Sequence, residues 1–240
     1  MSDNKNETTS FRKYNLWFWG IISGGLLFVS SLFLLASMEV FGELPTFEDL
    51  ENPEINFATE IISIDGKTLG KYYNENRTPV QLEDLPQNLI DALVSTEDER
   101  FFEHSGIDFR GTLRAIALLG KGGGASTITQ QLAKLLFTKG SGTSNKFKRI
   151  IQKVNEWVIA IRLEEQYTKE EIITMYLNKF DFLYNSIGIR SASRIYFGKE
   201  PIDLKIEESA VLVAMLKNPR QYNPNRAISK QKSLGRRNQV

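Results

Sequence analysis

The sequence predicts a mainly α protein preceded by one transmembrane helix, and three observations predict it. Leu16 to Met38, LWFWGIISGGLLFVSSLFLLASM, is uncharged and long enough to cross a hydrocarbon core of ~30 Å as a helix rising ~1.5 Å per residue. Beyond Pro86, segment after segment places apolar residues at i, i+3 and i+4, the spacing of one helix face. Neither strand–helix alternation nor an internal repeat of ~20 to 50 residues is visible, which excludes a doubly wound sheet and a solenoid.

The elements follow in order. Residues 1–15, MSDNKNETTSFRKYN, are polar without apolar periodicity and predict a short disordered cytoplasmic tail. Residues 16–38 form the span. An uncleaved anchor is expected rather than a signal peptide, because the apolar run exceeds the ~7 to 15 residues of an h-region. Arg12 and Lys13 precede it, Glu39 and Glu43 follow it, and Trp17 and Trp19 sit where an interfacial aromatic belt lies. The positive end therefore stays in the cytoplasm and everything after Glu39 lies outside the plasma membrane, on the periplasmic side. Residues 39–57, with Pro45, Pro53 and several acids, read as a linker. Ala58–Ile64 and Thr68–Glu75 flank Asp65-Gly66, a small β-hairpin signal. Helices are then expected from Pro86 into Glu97 and over 108–119, 126–137, 147–165, 169–178 and 207–216. Thr168 and Glu171 supply a capping box for 169–178.

Composition sets bounds. The chain is 41% hydrophobic over 240 residues, enough for one core-bearing domain. A net charge of +1 excludes a globally basic nucleic-acid binder, so phosphate recognition must come from a local cluster. The absence of cysteine excludes disulfides and thiolate metal sites.

Two stretches carry chemistry. Ser95 to Gly106, STEDERFFEHSG, sets carboxylates beside the single histidine in an aromatic setting. Gly122 to Lys134, GGGASTITQQLAK, adds a glycine-rich turn, hydroxyls, two glutamines and a lysine. Together they suit work on a sugar phosphate. The run at 120–127 is not a nucleotide loop: Ala115 stands where the Walker pattern needs glycine, and Gly122 where it needs Ser or Thr. No nucleotide cofactor is expected.

EDERFFEH resembles the first motif of the family 51 peptidoglycan glycosyltransferases, the N-terminal catalytic part of class A penicillin-binding proteins, and GASTITQQ resembles the second. Lys153 with Glu156 and KEEIITMYLN at Lys169–Asn178 match the third and fourth. A fifth begins at Arg236-Arg237-Asn238-Gln239-Val240, where the sequence stops, so the domain over 58–240 is expected to be C-terminally incomplete. The resemblance implies a lysozyme-like helical lobe with a smaller membrane-proximal lobe. It implies polymerisation of lipid II into β-1,4-linked glycan with release of undecaprenyl diphosphate. Partners so implied are lipid II, the growing glycan chain, membrane lipid and other cell-wall synthesis proteins, with no nucleic acid.

Such chemistry needs a base for the incoming 4-hydroxyl and stabilisation of a departing diphosphate. By resemblance, Glu97 is the base and Glu156 assists at the diphosphate, through hydrogen bonding or a divalent metal, Mg or Mn. Arg114, Lys134, Lys148 and Lys153 match positions lining the diphosphate site, and Ser126, Thr127, Gln130 and Gln131 present hydrogen-bonding groups to sugar or phosphate. Asp98, Phe101, His104 and Asn178 are assigned structural roles within the motifs, and Ser126 is a candidate helix N-cap. Gln152 departs from the family, which usually has arginine before the third-motif lysine. Two rival readings stay open: a lytic transglycosylase or lysozyme-like enzyme that cleaves glycan, and a non-catalytic membrane-anchored assembly scaffold. No transpeptidase signature accompanies Ser229–Lys232, SKQK.

Overall fold

The computed structural model describes residues 4–41, 59–64, 68–72, 79–118, 124–137 and 145–240. Helices dominate: α1 (Asn4–Ser37), α2 (Gln87–Glu97), α3 (Phe109–Ala117), α4 (Ile128–Phe137), α5 (Lys146–Gln166), α6 (Lys169–Lys179), α7 (Ile189–Phe197), α8 (Ile206–Lys217) and α9 (Lys230–Arg237). Strands β1 (Thr59–Ile62) and β2 (Thr68–Tyr72) pair antiparallel, with Thr59 opposite Tyr72 and Glu60 opposite Lys71. This is the expected hairpin. Its Asp65-Gly66 turn, and the linker from residue 42 to 57, lie outside the described residues.

The helix bounds follow the apolar stripes to within two residues, with additions. α1 begins at Asn4, so most of the segment read as a disordered tail is helical. Extending a helix that is already nucleated costs little per residue, and no proline or glycine interrupts residues 4–19. α7 and α9 were not anticipated. α7 lies between Gly188 and the left-handed Gly198, which ends it. α9, KQKSLGRR, has a single apolar residue and no stripe to read.

The chain divides into two compact units, one holding α1 and α5 as far as Val158, the other the remaining elements. In the first, α1 carries the only described helix long and apolar enough to cross a membrane, Arg12–Ser37. Ser31 and Ser37 donate to the carbonyls of Phe28 and Leu34, which hides their hydroxyls against the helix. Phe33 packs against Trp157 of α5 with ring centroids 5.7 Å apart.

In the second unit, α2 packs on α8, α8 on α9, and α4 on α6. The core comprises Leu89 and Leu93 of α2, Ile128 and Leu132 of α4, Ile172, Ile173, Tyr176 and Leu177 of α6, and Ala210–Leu216 of α8. α6 starts with the expected capping box: Thr168 Oγ1 accepts from the Glu171 amide, and Glu171 accepts from the Thr168 amide. Its far end is tied by Asn178, which exchanges two hydrogen bonds with the Val80 backbone, at 2.8 and 2.9 Å.

Candidate active site

Glu97 is the last residue of α2, and the helix ends there because Asp98 turns to an extended φ of −158°. Buried Leu89 and Leu93 on the same helix hold that end in place. Glu97 faces a polar pocket of about 240 Å³ whose walls include Arg100, Asp108, Arg114 and Ser126. Arg100 and Asp108 form an ion pair, and Asp108 also accepts from the Gly111 amide at the start of α3. Burial alone pushes the Asp108 carboxyl up, but the hydrogen bonds from Arg100 and Gly111 and the guanidinium charge outweigh it and hold it below its ordinary range.

The neighbouring acid looks inward. Asp98 is 7% exposed and accepts from His104 Nε2 at 3.0 Å and from the Ile128 amide at 3.0 Å. A carboxylate is thereby set against the N-terminus of α4, where unpaired amides favour negative charge. The helix is capped by Thr127, not by Ser126: Thr127 Oγ1 accepts from the Gln130 amide at 3.1 Å. Of two adjacent hydroxyl residues, only Thr127 sits immediately before the first helical residue. Thr127 also donates to the Gly106 carbonyl at 2.7 Å, and Gln130 Nε2 donates to the same oxygen at 3.1 Å. Both residues are about 1% exposed and hold this loop, and Thr127 also lines the pocket that Glu97 faces. Gly106 has φ +83°, and a Cβ there would lie 2.9 Å from the Ala160 backbone of α5. Lys169 closes the cluster: it donates to the His104 carbonyl, pairs with Glu164 at 2.7 Å and sits 4.3 Å from the centre of the buried Phe101 ring.

Gln131 lies elsewhere in this web. Its Nε2 donates to Glu97 Oε2 at 3.1 Å, and its Oε1 accepts from the Tyr176 hydroxyl at 2.8 Å. Tyr176 is fully buried, and its hydroxyl is pushed well up in pKa by that burial and by the charge of Glu97. A buried tyrosine on an apolar stripe gives no signal that its hydroxyl reaches a carboxylate.

The cations fall on three helices. Arg114, on the last turn of α3, lines the pocket with Glu97, whereas Lys134, on the last turn of α4, is exposed. Lys148, Lys153 and Glu156 belong to the first unit, on α5. There Glu156 is 5% exposed and accepts from Lys153 Nζ at 3.2 Å and from Gln152 Nε2 at 3.0 Å. Both carboxylate oxygens thus have donors, one of them a cation. Among the described residues no three His, Cys, Asp or Glu side chains gather as metal ligands. Glu156 is thereby engaged as a hydrogen-bonded carboxylate.

Comparison with known proteins places this geometry in context. Penicillin-binding protein 1A of Pseudomonas aeruginosa is 36% identical over 92% of this chain and 26% of its own length. Penicillin-binding protein 1F of Bacillus subtilis is 40% identical over 71% of this chain and 24% of its own. The crystal structure of penicillin-binding protein 1A from Haemophilus influenzae aligns over 77% of this chain and 17% of that one, at 25% identity and a TM-score of 0.36. The chain spans about a quarter of the length of the curated relatives it matches. The Transglycosylase family matches residues 65–240, which include Glu97, the pocket around it and α2 through α9, and the chain belongs to that family.

Proposed function

We propose that this chain is a peptidoglycan glycosyltransferase that joins lipid-linked disaccharide units, lipid II, into β-1,4-linked glycan. The observation that carries the reading is Glu97, held at a helix end in a polar pocket that also presents Arg114, within the segment matching the Transglycosylase family. Glu97 takes the proton from the acceptor's 4-hydroxyl as that oxygen bonds to the donor's anomeric carbon. The bond from that carbon to the diphosphate breaks, and the bonding electrons leave with the lipid diphosphate. Developing negative charge on the leaving group calls for cations, and Arg114, Lys134, Lys148 and Lys153 are assigned to it.

Glu156 serves through hydrogen bonding: paired with Lys153, it fixes the ammonium and is itself neutralised, so that it does not repel a diphosphate. Gln152 supplies a neutral donor to Glu156 where an arginine would bring charge. Ser126 remains a sugar- or phosphate-contacting residue at the pocket wall.

The apolar helix anchors the protein in the plasma membrane with the N-terminus in the cytoplasm and the domain outside, where the lipid-linked substrate is consumed. Partners of this reading are lipid II, the growing glycan, surrounding lipid and other wall-synthesis proteins. The test is incubation of the detergent-solubilised chain with lipid II in one arm and isolated cell wall in the other. Glycan polymer from lipid II with no fragments from wall is expected. Wall fragments without polymer would assign a lytic enzyme, and neither product would assign a scaffold.

A further inference from the structure

We propose that Gln131 and Tyr176 are positioning residues for Glu97, acting as a fixed relay that presents one carboxylate oxygen to the nucleophile; this rests on Glu97 being the base.

The geometry admits one arrangement. Glu97 Oε2 receives Gln131 Nε2 at 3.1 Å, and Gln131 Oε1 receives the Tyr176 hydroxyl at 2.8 Å. An amide has a donor end and an acceptor end, and reversing it would turn Oε1 toward an ionised carboxylate, oxygen against oxygen. The Tyr176 proton, aimed at the acceptor end, selects against that reversal. Because burial and the charge of Glu97 both oppose loss of that proton, Tyr176 remains a donor through the pH range in which a carboxylate acts as base. Tyr176 and Leu177 are wholly buried in α6, and α6 packs on α4, which carries Gln131. The relay is therefore built on two packed helices and not on a loop, the condition for holding a functional group to a fraction of an ångström.

The consequence is a division of labour between the two oxygens of Glu97. Oε2 is engaged, whereas Oε1 has no donor among the described residues and remains for the acceptor hydroxyl. The charged groups around the same pocket are Asp98, Glu99, Arg100, Asp108 and Arg114, with Asp108 and Arg100 already paired to each other. None of them replaces the donor on Oε2. This assigns Gln131 to the base and not to the substrate.

The test is the pH–rate profile of lipid II polymerisation by the full chain and by Gln131→Met, Tyr176→Phe and the double variant, with Glu97→Gln as reference. Methionine keeps the length of glutamine without its donors. Loss of a hydrogen bond to a charged group should move the acid limb of the Gln131→Met profile upward by about one pH unit. Its rate at neutral pH should fall about tenfold with little change in KM. Tyr176→Phe should shift the limb the same way by less, and the double variant should match Gln131→Met alone, since Tyr176 acts only through the amide. Should Gln131→Met not fold, the Tyr176→Phe profile decides by itself. An unmoved acid limb in the folded variants, or a defect confined to KM, overturns the proposal while an inactive Glu97→Gln leaves Glu97 as base. An active Glu97→Gln overturns the reading of the base, and the relay with it.

Discussion

Glu97 and Asp98 are adjacent acids with opposite surroundings. Glu97 opens onto a pocket, whereas Asp98 is buried against His104 and the first amide of α4. Asp98→Ala leaves that amide and the imidazole without their acceptor, and should lower stability by about 1–3 kcal/mol in urea unfolding. A loss below a few tenths would place Asp98 outside the framework. Asp108 makes a pH-dependent contribution. Because its carboxyl is held below its ordinary range when folded, its stabilisation is fully present above the unfolded value of ~3.9. It is lost as pH falls from there through the folded value. Asp108→Asn should thus reduce stability at neutral pH and flatten the acid side of the stability curve, read as urea midpoints between about pH 2 and 7. The residue scale is also where sequence reading stopped short. Glutamines and hydroxyls in GASTITQQ all read as ligand-facing, because composition does not say which side of a helix start is buried. Thr127 and Gln130 turn inward onto the Gly106 carbonyl, and Gln131 turns toward Glu97.

Among the elements, legibility follows the apolar stripe. α2, α4, α6 and α8 bury regular faces and were anticipated to within two residues, whereas α7 and α9 are Ser- and Arg- or Lys-rich and take their bounds from tertiary packing and glycine ends. Local capping was readable where both partners were in the sequence, as at Thr168 and Glu171. Thr168→Ala removes that cap and should cost about 1 kcal/mol, measurable as a lower thermal midpoint with activity per folded molecule unchanged. Gly106 belongs to the same scale. Its positive φ and the approach of the Ala160 backbone make it a packing glycine just after the first motif, a role that no spacing rule would have distinguished from a flexible turn.

For the whole molecule, the apolar surface of α1 is the dominant physical fact. Trp17, Trp19, Leu26, Leu27 and Phe28 are all more than 60% exposed, an arrangement suited to lipid and costly in water. The full chain should fractionate with membranes and be released by detergent, but not by high salt, which screens only surface charge. Recovery in the aqueous fraction without detergent would contradict the anchor. Fold class, the long apolar helix and family were legible because they rest on long patterns and ordered motifs. The web around Glu97 joins residues 34 to 45 positions apart in sequence, and only folding brings them together.

The most direct measurement is the rate of lipid II polymerisation by Glu97→Gln, with folding checked by thermal melting and substrate binding measured separately. Glutamine keeps the size and hydrogen bonding of the side chain but cannot accept the hydroxyl proton. The rate should fall about 10²- to 10⁴-fold, with binding retained, as for loss of a positioned general base. A folded, substrate-binding Glu97→Gln that polymerises at the unaltered rate would contradict the account, because the proton would then leave by a group other than Glu97.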